Sequence, residues 1–172
     1  MKTTLLISSL FVSSVFMSAA HAIDGQIKFT GKITDSACKV DPSSANQTVN
    51  MGTIAANSFD GPSSTSSPSR FSIKLSECPK SNKSVQVKFD GQTDASRKYL
   101  ALEGGNAAKG VAIALYEDDN NTPIPMFKSS RSQDLSDSKT QELHFIAKYI
   151  ATSSPVTPGL GDAVTNFTIT YN

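Results

Sequence analysis

Neither sign of charge is in excess: among 172 residues, 16 lysines and arginines stand against 15 aspartates and glutamates. A nucleic-acid or anionic-membrane binder carries a basic surplus or cluster, and none is present. Histidine is equally scarce, with His21 in the first stretch and His144 the sole later one on which a Ser-His-Asp or Cys-His set could be built. His144 alternates with apolar Leu143 and Phe145, the pattern of a solvent-side strand position. The Gly-x-Ser-x-Gly, Gly-x-Gly-x-x-Gly, P-loop and His-Glu-x-x-His motifs are all missing. That argues against an enzyme, although a glycosidase needs only paired carboxylates. After the first twenty or so residues, no apolar run is long enough to cross a bilayer as a helix.

The first stretch has its own reading. Met1-Lys2 is a short positive start, residues 5–20 are apolar with small polar residues mixed in, and Ala20-His21-Ala22 is a small-x-small cleavage site. This is the pattern of a secretory signal peptide over residues 1–22. Its removal would leave 150 of the 172 residues, starting at Ile23, with a formal net charge of zero because Lys2 leaves with it. The two cysteines, Cys38 and Cys78, both lie in the exported part, where an oxidising compartment favours a structural disulfide. A bridge closing a loop of about 40 residues would restrict the unfolded chain by roughly 4 kcal/mol. Two cysteines without a neighbouring histidine make no zinc site, and their separation is unlike Cys-x-x-Cys redox spacing.

Apolar residues recur almost everywhere with period two, and no window has a helical period. The alternating sets are Ile27, Phe29, Ile33; Phe71, Ile73, Leu75; Val85, Val87, Phe89; Val111, Ile113, Leu115; Leu143, Phe145, Ala147, Tyr149; and Phe167, Ile169, Tyr171. The fifth set also carries Ile146 and Ile150 on its other face. Short strands with polar, glycine- and proline-containing connections predict an all-β fold, an antiparallel immunoglobulin-like sandwich. Residues 58–69 read as a serine-rich surface loop, Asp90-Gly91 as a turn, and 117–121 as the turn ending a strand. Pro158-Gly159 reads as a type II turn between the last two strands, with φ above zero at Gly159.

Two segments lack a place in such a sandwich. If Cys38 reaches Cys78, everything before Asp35 extends upstream of the staple as an arm, packed at home or made for another molecule's sheet. The alternating strand 166–172 has no following partner, although a seven-strand sandwich needs one more strand to close its sheet. An arm at one end and a missing strand at the other are complementary, and intermolecular strand addition would satisfy both. Burying Ile27, Phe29 and Ile33 would supply on the order of 5 to 9 kcal/mol. Gly31 would let two backbones approach closely.

These residues resemble the chaperone-usher fimbrial subunits of Gram-negative bacteria, the type 1 pilin family. The likeness rests on the arm Gly25-x-Ile27-x-Phe29-x-Gly31-x-Ile33, on Asp35-Ser36-Ala37-Cys38 opening the domain, and on Cys78 after the strand that starts at Phe71. It continues through Thr157-Pro158-Gly159, the glycine fourteen places from the end, to Phe167-Thr168-Ile169-Thr170-Tyr171-Asn172. The resemblance implies an incomplete immunoglobulin-like sandwich lacking its final strand, with residues 23–34 as an N-terminal donor strand and 35–172 as the pilin domain. Gly25, Ile27, Phe29, Gly31 and Ile33 would be the donor positions, and Phe167, Ile169 and Tyr171 would line the acceptor groove. The implied partners are a periplasmic pilus chaperone, which would hold the terminus at Asn172, an outer-membrane usher, and neighbouring subunits on both sides. No cofactor, metal, catalytic residue, nucleic acid or direct membrane insertion is implied. The short arm and the region around Pro158 look more like a minor tip-adaptor subunit than a rod subunit. The alternatives are a major rod-forming pilin and a free secreted immunoglobulin-like binding protein.

Overall fold

The computed structural model describes residues 25–31, 33, 37–135 and 139–172, so the signal peptide expected over 1–22, with Asp35 and Ser36, lies outside the described residues. The chain divides into two units, Met1–Ile33 and Thr34–Asn172. The described part of the first forms no regular element, and Ile27, Phe29 and Ile33 are 81%, 91% and 100% exposed. Among the described residues this segment takes part in no ladder, and an extended segment becomes a strand only by pairing.

The second unit is a two-sheet antiparallel sandwich. Its strands are β1 (Lys39–Val40), β2 (Ser69–Ser76), β3 (Ser84–Gly91), β4 (Val111–Glu117), β5 (Pro123–Ile124), β6 (Gln133–Asp134), β7 (Thr140–Ala151) and β8 (Thr165–Tyr171). One sheet runs β1-β2-β7-β4-β5 and the other β6-β3-β8. A short α-helix, Pro42–Ala45, the one α-helix among the described residues, is capped by Asp41, which accepts from the Ser43 amide, and has a proline in its first turn.

The alternating residues meet between the sheets. Ile73, Leu75, Val85, Val87, Phe89, Leu143 and Phe145 are all at most 1% exposed. Phe71, Phe89 and Phe145 pack with ring centroids 5.3 to 6.1 Å apart, two of the three contacts edge-to-face. Ile150 on the outer face of β7 is covered by a second cluster with Ala112, Ala114, Tyr99 and Tyr116. His144 is exposed, as its alternation predicts.

Several expected connections differ. Asp90-Gly91 is no turn: β3 includes both, Gly91 pairs with Thr165, and a Cβ there would stand 2.8 Å from Leu100 Cδ1 and 3.0 Å from the Val164 carbonyl oxygen. Residues 58–69 are only partly loop, because the amide of Ser63 donates to Ala151 and that of Ser66 to Tyr149, extending the β2 side of β7 beyond Ser69. Gly159 does not adopt the left-handed backbone of a type II turn. It lies in the crossover from β7 to β8, where a Cβ would stand 2.6 Å from the carbonyl carbon of Ala107. Ala108 donates to Leu160 and Leu160 to Asn106 across this contact. A missing side chain, and not a positive φ, is what this position requires.

Candidate functional site

The disulfide fixes one side of the site. Cys38 and Cys78 are bonded, with Cα atoms 4.1 Å apart, and they hold β1 against β2 in the register Lys39 to Ser76 and Val40 to Leu75. β1 is thereby the edge of its sheet.

β8 is the edge of the other sheet, paired with β3 alone among the described strands. In that pairing Val85 faces Tyr171, Val87 faces Ile169 and Phe89 faces Phe167. The β3 members are buried to 1% exposure or less, while all three β8 members remain half-buried. Cross-strand partners on one face of a sheet share the same core, so the difference locates an uncovered part of that core along the outer side of β8.

The main chain has the same bias. Ser84 donates to the Asn172 carbonyl at 3.1 Å, and Asn172 donates to the Ser84 carbonyl at 3.0 Å. Antiparallel pairs alternate between bonded and non-bonded residues, so Thr168 and Thr170 turn their amides toward β3. Phe167, Ile169 and Tyr171 turn theirs the other way, toward the edge that no described strand pairs. The three residues that leave apolar surface uncovered thus also offer the hydrogen-bonding groups of an open edge.

The two sheet edges lie on the same side of the sandwich. The Tyr171 hydroxyl donates to the Cys38 carbonyl at 3.4 Å, crossing from the end of β8 to the start of β1. Burial raises the pKa of this phenol. At the other end of β8, Phe167 lies beside Phe89, whose ring meets that of Phe71 at 6.1 Å. Between these ends β8 borders a seam, and the half-buried Val40, Met51 and Phe71 pack against the same core. The sequence singled out the β8 side. Val40 and Met51 escaped because neither belongs to an alternating run long enough to show a face.

Asn172 is exposed, its side chain outside the core and its carbonyl accepting from the amides of Lys83 and Ser84 at 2.8 and 3.1 Å. Pro158 and Gly159 belong to the crossover that leads into β8 and do not line the seam: the amides of Thr157 and Lys109 donate to each other's carbonyls, and the Tyr149 hydroxyl donates to Gly161 at 2.9 Å. Their part is to hold the start of β8 in place. Among the described residues, no helix is long and apolar enough to cross a membrane.

Comparison with known proteins adds a family to this geometry. The model of the fimbrial protein family matches residues 27–172. The chain is 36% identical to the probable major fimbrial subunit LpfA of Escherichia coli O157:H7, over 99% of this chain and 96% of that one. It is 37% identical to long polar fimbria protein A of Salmonella typhimurium over the same shares. Among solved structures, a Burkholderia pseudomallei antigen and type I fimbria protein superposes with a TM-score of 0.62 at 37% identity, covering 86% of this chain and 97% of that one.

Proposed function

The chain belongs to the fimbrial protein family and is a structural fimbrial subunit; on that premise we propose that it is of the chaperone-usher class and polymerises by exchanging a strand between subunits. After cleavage of residues 1–22, residues 23–34 form the donated strand, with Gly25, Ile27, Phe29, Gly31 and Ile33 as its inward positions. The seam beside Phe167, Ile169 and Tyr171 accepts the corresponding strand of a neighbour. Before assembly a periplasmic chaperone lends a strand to this seam and holds the Asn172 carboxylate, and the exchange takes place at an outer-membrane usher.

The observation that carries this reading is the mismatch across β3 and β8: the inward residues of β8 are half-buried opposite partners that are fully buried. A strand laid along β8 covers that surface and bonds to the outward amides of the same residues. The exposed Ile27, Phe29 and Ile33 stand at even spacings, with Gly31 between the last two, so all share the one face such a strand needs. The work of the protein is then done by paired edges and buried apolar side chains, and it catalyses no reaction.

For its place in the fibre, the short arm favours a minor adaptor, whereas a 36% identical relative carries the name of a probable major fimbrial subunit. That identity extends over nearly the whole of both chains, and we take the repeated rod position as the better supported. Counting copies per fibre separates the two.

Phe29→Asp tests the exchange. The variant should still co-purify with the chaperone, because its own seam is untouched, and should be lost from fibres sheared off the cell surface. Normal incorporation into fibres would remove Phe29 from the donated strand.

A further inference from the structure

The seam has unlike ends. At the Phe167 end lies its register partner Phe89, with the rings of Phe71 and Phe145 packed on it. At the other end, the Tyr171 hydroxyl reaches across to the Cys38 carbonyl at 3.4 Å. The Cys38 end of this crosspiece is anchored: its neighbour Lys39 is in register with Ser76, and its sulfur is bonded to Cys78. The Tyr171 end is anchored too, since Asn172, the next residue, exchanges both main-chain hydrogen bonds with Ser84. The half-buried phenol thus joins two anchored points, one on each sheet.

We propose that Tyr171 is the residue that sets the register of the strand that enters this seam. The inference rests on the reading that the seam accepts the apolar arm of another subunit. A strand's side chains repeat every two residues, so an incoming strand could bond equally well to β8 in registers two residues apart, each keeping its apolar face inward. Main-chain hydrogen bonds alone do not choose between them. An obstruction at one end does, because the strand can advance only until its leading side chain meets the Tyr171 ring. The hydroxyl contact with Cys38 keeps the ring in that place. Its length of 3.4 Å marks a weak bond. The stop is thus a ring steadied by the hydroxyl, and it is loosened, not abolished, when the hydroxyl is lost.

The test uses the full chain carrying Phe29→Asp, so that its own arm cannot compete, refolded with a synthetic peptide of residues 23–34 bearing a photoreactive side chain in place of Phe29. Cross-links are mapped by mass spectrometry, and peptide release is timed. With Tyr171 intact, cross-links should fall on one set of residues along the seam. In Tyr171→Val, which cannot reach Cys38, a second set displaced by about two residues should appear. In Tyr171→Phe the map should hold while release becomes about fivefold faster. An unchanged map in Tyr171→Val overturns the proposal and leaves strand acceptance standing. Should Tyr171→Val not fold, Tyr171→Phe decides, and release within about twofold of the parent rate overturns it. If the peptide fails to bind with Tyr171 intact, the reading of the seam falls, and the register proposal falls with it.

Discussion

Phe89 and Phe167 are register partners on neighbouring strands, yet Phe89 is 1% exposed and Phe167 is only half-buried. One residue belongs to a finished core and the other to a core that lacks a wall. In the lone subunit, Phe89→Ala should cost about 3 to 5 kcal/mol, the usual range for a buried phenylalanine, and Phe167→Ala roughly half as much. With the arm peptide bound, the cost of Phe167→Ala should rise toward that of Phe89→Ala. Denaturant titrations with and without peptide measure both, and equal costs in the lone subunit would show that β8 is already covered.

Gly159 is where the crossover between β7 and β8 comes closest to residues 106–108, with no room for a Cβ beside Ala107. Gly159→Ala should destabilise the domain by about 1 to 3 kcal/mol, the typical penalty for overpacking. Gly105→Ala is the matched control, since its Cβ would meet nothing within 4 Å and its backbone is not left-handed. It should be neutral or slightly stabilising, through loss of freedom in the unfolded chain. Thermal melts of the two variants should move apart.

The turn after β4 contains an acid held ionised. Asp119 accepts from the main-chain and side-chain groups of Thr122 and from the Asn121 amide, which together lower its pKa to about 2 from 3.8. A carboxyl with a depressed folded-state pKa stabilises the fold above its unfolded value, and that contribution is lost as pH falls from 3.8 through about 2. An NMR titration should place the Asp119 midpoint there. Thr122→Val removes the hydroxyl donor but keeps the amide, so the midpoint should move upward and stop short of the ordinary aspartate value. An ordinary midpoint in the parent chain would contradict this account of the turn.

The longer strands β2, β3, β4, β7 and β8 were legible because their signal is local: alternating residues such as Val85, Val87 and Phe89 declare a face whatever they pair with, whereas β1, β5 and β6, at two residues each, are too short to alternate. The disulfide was legible from compartment and count, and β8 from the alternation of Phe167, Ile169 and Tyr171. Positions whose role depends on distant neighbours were not. Gly159 follows a proline and so reads as a turn residue, yet its need for a missing side chain comes from residues 106–108. Asp90-Gly91 has turn chemistry that pairing with β8 overrides. The helical turn at Pro42–Ala45 did carry a signal, an aspartate cap followed by proline, but it is too short to show a period. Tyr171 was visible as an inward residue, while its reach to Cys38 depends on how the sheets face each other.

Amide hydrogen exchange along β8 tests the central claim most directly. Thr168 and Thr170 turn their amides to β3, whereas Phe167, Ile169 and Tyr171 turn theirs to the open edge. Adding a peptide of residues 23–34 to the full chain carrying Phe29→Asp should slow exchange at Phe167, Ile169 and Tyr171 strongly, and at Thr168 and Thr170 much less. If the three outward amides exchange at the same rate with and without peptide, β8 does not accept the arm and the account fails.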